Sequence, residues 1–68
     1  MREWLKQKRT ERGLTMKQMA AQLEITESYY SLIESGERQK KMDISFAKKL
    51  SEILDMPAER IFELEASA

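Results

Sequence analysis

A chain of 68 residues with no cysteine and no histidine holds one domain, has no disulfide framework, and lacks the thiolates and imidazoles from which most zinc sites, catalytic triads and pH switches are built. Its 12 basic and 12 acidic residues cancel, which excludes a strongly cationic nucleic-acid binder, and no apolar run approaches the length of a membrane span or secretory signal. The cancellation is uneven: residues 1–41 carry nine Lys/Arg against six Glu (net +3) and residues 42–68 three against six acids (net −3), so one face can still attract phosphate.

The first predicted element covers residues 2–12, REWLKQKRTER, made of good helix formers without Gly or Pro. Trp4 and Leu5 are its large apolar residues, and Arg and Lys stems complete the buried stripe. Gly13 ends it, where a left-handed residue is cheapest. A second helix opens at Thr15, with Gln18 three places on completing a capping box. Met16, Met19, Ala20 and Leu23 follow the i, i+3, i+4, i+7 pattern of one helix face. Glu24 and Ile25 make a tight connection, with Ile25 anchoring the turn.

Thr26 caps the third helix, which runs to about Ser35 and stops at Gly36. At a hundred degrees per residue Tyr30, Ile33 and Glu34 share one side, while Ser28, Ser31, Leu32 and Ser35 share the other. That outer side is small, hydroxylated and apolar at Leu32, whereas a purely solvated helix is usually rich in Lys and Glu. Residues 36–42, GERQKKM, form a polar loop. Asp43 is expected to cap a fourth helix over 44–54, with Ile44, Ala47, Leu50 and Leu54 on one stripe that Phe46 and Ile53 widen. Pro57 then breaks the chain and opens a last helix, about 58–64, with Ile61, Phe62 and Leu64. Residues 65–68 are expected to fray, leaving residues 1–64 as the domain. The fold class is all-α, five helices and no strand. Trp4 is expected in the core rather than as a stacking platform, and the five methionines as gap fillers.

The run T15-M-K-Q-M-A20-A-Q-L23-E-I25-T26-E-S-Y29-Y-S-L-I33-E34-S-G36, with R12-G13-L14 before it and L50-S-E-I-L54-D-M-P57-A-E-R-I61 after it, resembles the phage-repressor-like, Cro/C1-type helix-turn-helix domain of the XRE family of transcriptional regulators. The resemblance covers the chain from Leu5 to Phe62 and implies a compact five-helix, lambda-repressor-like bundle. It also implies a mechanism in which the third helix lies in the DNA major groove and the second crosses the backbone. Carried over by position, Glu27, Ser28, Ser31 and Leu32 become the base-reading residues. Met16, Lys17, Tyr29, Arg38 and Lys40 become the phosphate contacts, and Arg9 with Glu34 a structural ion pair. The chain departs from the family pattern in carrying Met16 where Gln is usual. It has Glu24 where Gly is usual in the turn, at a cost of about 1 kcal/mol if that residue is left-handed.

These readings lead to a double-stranded-DNA-binding transcriptional regulator, a repressor, acting as a homodimer on a pseudo-palindromic site. The last helix is the expected dimer surface. No cofactor, metal or small-molecule ligand is expected, nor enzymatic activity, since the acids are scattered and no nucleophile–base pair or phosphate-cradling Gly loop is present. The expected location is the cytoplasm of a bacterium or phage host, at the nucleoid. A different reading keeps the same scaffold as a protein-interaction, antitoxin-like module that does not read DNA; the zero net charge and Glu24, Glu27 and Leu32 on or near the presented face favour it.

Overall fold

The computed structural model describes residues 1–67; Ala68, the last residue of the expected tail, lies outside them. Among the described residues there are five helices and no strand: α1 (Glu3–Glu11), α2 (Met16–Leu23), α3 (Glu27–Ser35), α4 (Ile44–Leu54) and α5 (Ala58–Ser67). α2 and α3 pack on each other, α1 lies against α3, and α4 joins α2 and α5. No helix is long and apolar enough to cross a membrane.

The elements form where local chemistry directs them. The Thr15 hydroxyl accepts from the Gln18 amide at 3.1 Å, and Gln18 Oε1 accepts from the Thr15 amide at 2.9 Å, closing the capping box on α2. Thr26 Oγ1 accepts from the Tyr29 amide at 3.1 Å at the start of α3. The first four helices end alike, in a left-handed residue after which an amide reaches back five residues: Leu14 to Arg9, Ile25 to Ala20, Glu37 to Leu32, and Met56 to Ser51. Gly13 (φ 70°) and Gly36 (φ 93°) fill two of these corners without strain, whereas Glu24 (φ 61°) and Asp55 (φ 54°) carry a side chain there.

The core is built from Trp4, Leu5, Met19, Ala20, Leu23, Tyr30, Ile33, Ala47, Leu50, Leu54 and Ile61. Four expectations from sequence are corrected. Ile44 starts α4 on the stripe's periodicity yet is 75% exposed, because it sits at the helix's first residue, beyond the reach of α2 and α5. Asp43 occupies the capping position without bonding a helix amide; its carboxylate accepts from the Ser45 hydroxyl at 2.7 Å instead, a local competitor close in sequence. α5 runs through residues 65–67, where fraying was expected, because Glu65 is held by Arg2 and Trp4. Finally, Ile61 is fully buried in its own core and Leu64 packs on that core. Of the three apolar residues assigned to a dimer surface on α5, only Phe62 is exposed.

Candidate nucleic-acid interface

The orientation of α3 follows from what it buries. Tyr30, Ile33 and Glu34 are at most 1% exposed, and their i, i+3, i+4 spacing places them on one side of the helix. Glu27, Ser28 and Ser31 therefore face outward and are exposed, while Leu32 is half-buried at the edge of that face. Glu27 also lies in the first turn, where a negative charge suits the positive end of the helix dipole.

What holds that inner side is a buried ion pair. Arg9 donates from Nε to Glu34 Oε2 at 2.9 Å and from Nη2 to Oε1 at 3.2 Å, a two-pronged contact linking α1 to α3. Its remaining prong, Nη1, donates to the Leu14 carbonyl at 2.8 Å, so one guanidinium pins both the end of α1 and the late turns of α3. Donating to the Glu34 carboxylate raises the Arg9 pKa above its ordinary value, so the guanidinium stays charged. Beside it the Tyr30 hydroxyl is buried and makes no hydrogen bond of good geometry. Burial first, then the Glu34 carboxylate, raises the phenol's pKa well above the usual range.

The residues assigned to phosphate contact divide into two groups. Lys17 at the start of α2, and Arg38 and Lys40 in the loop after α3, are exposed cations. Met16 and Tyr29 are half-buried and pack against the core. The loop that carries Arg38 and Lys40 is not loose. The amides of Glu37 and Arg38 both bond the Leu32 carbonyl, at 2.9 and 3.2 Å, and Gln39 adopts φ 54° while its side-chain oxygen accepts from the Asp43 amide at 2.9 Å.

Sequence reasoning missed the group beneath this loop. Arg2 is 5% exposed and uses every guanidinium donor: Nε and Nη2 on Glu65 at 2.8 and 3.0 Å, Nη1 on the carbonyls of Ile33 at 2.6 Å and Arg38 at 3.0 Å, and Nη2 again on the Gln39 carbonyl. Trp4 Nε1 donates at 2.7 Å to Glu65 Oε2, the oxygen that also accepts from Arg2 Nε. No local pattern announces a contact between residues 63 positions apart. Among the described residues no group of three or more acidic side chains is placed to hold a metal ion.

Two helices joined by a tight left-handed corner, the second turning an uncommitted face outward, define a helix-turn-helix protein. A family model described as a helix-turn-helix domain matches residues 3–67, and the chain belongs to that family, as the resemblance in the sequence implied. It is 38% identical over 63 residues to an uncharacterized HTH-type transcriptional regulator, YqaF, of Bacillus subtilis (strain 168), a match covering 93% of this chain and 80% of that protein. No solved structure gives a significant match.

Proposed function

We propose that this protein is a sequence-specific, double-stranded-DNA-binding transcriptional repressor that places α3 in the major groove. The observation that carries the reading is the outward face of α3. Its residues Glu27, Ser28 and Ser31 are exposed on a helix whose opposite side is locked by the Arg9–Glu34 pair. Small hydroxylated residues let the helix approach base edges closely; Ser28 and Ser31 can bond either a donor or an acceptor, Glu27 can accept from a cytosine amine, and Leu32 can meet a thymine methyl. Lys17, Arg38, Lys40 and the Tyr29 hydroxyl contact phosphates on either side, and Met16 fixes the start of α2 against the core. The domain measures 25 × 24 × 20 Å, shorter than the ~34 Å between half-sites one helical turn apart. One copy therefore reads a single half-site, and a homodimer on a pseudo-palindrome supplies the affinity. Such a regulator works in the bacterial cytoplasm on chromosomal or phage DNA and needs no cofactor or catalytic group.

The test is a paired substitution, Ser28→Glu with Ser31→Glu. Both positions are exposed, so the fold persists, while two carboxylates at the groove weaken binding to a selected site by about tenfold or more. Unchanged affinity in the folded variant would remove α3 as the reading head. It would favour the protein-interaction, antitoxin-like reading, for which Glu27 on the presented face is the specific observation.

A further inference from the structure

The bonding of Arg2 exceeds what holding two chain ends together requires. Its guanidinium gathers three main-chain carbonyls, those of Ile33 in α3 and of Arg38 and Gln39 in the following loop. Its backbone amide donates to the Glu34 carbonyl at 2.8 Å. Carbonyls near the end of a helix carry the negative end of its dipole, and a buried cation is the group that satisfies several of them at once. Gln39 makes the demand sharper. It holds a left-handed conformation that a residue with a side chain rarely adopts, and its carbonyl is turned onto Arg2.

Glu65 completes the arrangement from the last turn of α5. It receives two prongs of Arg2 and the Trp4 indole N–H, so its carboxylate fixes the plane of the guanidinium and with it the directions of the remaining donors. The side chains of Arg38 and Lys40 remain exposed on the outer side of this frame.

We infer that Arg2, oriented by Glu65, is a positioning residue that sets the Arg38–Lys40 loop for contact with a phosphate backbone. The ordering of the loop stands on the geometry alone; its consequence for affinity rests on the DNA-binding reading above. Lysine at position 2 keeps the charge but has no planar fork and at most three donors, so it cannot bond three carbonyls and a carboxylate together. Glutamine at position 65 keeps the shape but loses the charge that orients the fork.

The test uses Arg2→Lys and Glu65→Gln, with folding monitored by circular dichroism so that one variant serves if the other fails to fold. Amide hydrogen exchange reads the loop directly. The Glu37 and Arg38 amides should exchange at least tenfold faster relative to the Leu23 and Leu50 amides, which lie within α2 and α4. Unchanged relative protection, or a uniform loss through all helices, would overturn the inference, since Arg2 would then be inert or a general support. DNA titrations give the second arm. Arg2→Lys should weaken binding about tenfold in the native background and less than twofold where Arg38→Gln and Lys40→Gln are already present, because the contacts it positions are gone. Equal losses in both backgrounds would overturn the link to phosphate contact. Failure of the unmodified protein to bind any DNA would overturn the DNA-binding reading and that link together, with loop ordering judged by exchange alone.

Discussion

Replacing Arg9 by methionine tests the physical centre of the fold. Glu34 is 1% exposed and its two oxygens are bonded by Arg9, while the adjacent Tyr30 hydroxyl offers no well-formed bond in compensation. Arg9→Met therefore leaves a buried carboxylate without a donor, a loss of about 3–5 kcal/mol, and frees the Leu14 carbonyl at about 1 kcal/mol more. A chain of this size has a total stability of roughly 3–10 kcal/mol, so the variant is marginal or unfolded at room temperature. The double variant Arg9→Met with Glu34→Leu removes both charges and should return to within about 2 kcal/mol of the parent. Urea unfolding followed by Trp4 fluorescence measures both. With a slope of about 1 kcal/mol per molar for a small domain, the single variant's midpoint should fall by about 3 M or more. A single-variant loss below about 1 kcal/mol, or a double variant no better than the single, would refute the claim that the pair is a coupled buried unit.

Three further outcomes follow from the same geometry. Tyr30→Phe deletes a buried hydroxyl without a good partner and should raise stability at neutral pH by about 1 kcal/mol; a loss of that size in a urea titration would mean the hydroxyl is bonded after all. Because the folded phenol's pKa is raised above its unfolded value of 10.0, only the unfolded chain ionises as pH first climbs past about 10, so the stability that is fully present below that pH is progressively lost above it. Alkaline unfolding should thus be shallower in Tyr30→Phe, and identical profiles would contradict the assignment. Glu24→Gly relieves a left-handed residue (φ 61°) and should stabilise by about 0.5–1 kcal/mol, read as a rise in melting temperature; a fall would mean the Glu24 side chain makes a contribution larger than the strain.

The features legible in the sequence are those written within a few residues of one another. The Thr15–Gln18 box, the Thr26 cap and the Gly13 and Gly36 corners are set by spacings of three or four, and the burial of Tyr30 and Ile33 by helical periodicity. Periodicity misled where helix ends and tertiary neighbours decide. Ile44 has the right phase but lies beyond its partners, and Ile61 and Leu64 looked like surplus because nothing local says that α5 folds back on α4. Arg9 with Glu34, separated by 25 positions, carries no local signal; the family resemblance alone points to it. The contacts of Arg2, Trp4 and Glu65 had neither source. They join the two ends of the described chain, and a tail of EASA composition offers no large apolar residue to suggest docking.

The central claim is that the exposed side of α3, flanked by Lys17, Arg38 and Lys40, binds double-stranded DNA by sequence. Selection of sites from a random duplex pool, followed by titration of the best site and a scrambled duplex across a range of salt concentrations, tests it most directly. Three cations per protomer predict a log–log salt slope of about −2.7 per half-site, doubled for a dimer, with the selected site bound at least about a thousandfold more tightly than the scrambled one. Recovery of no common sequence, or binding that salt does not weaken, would contradict it.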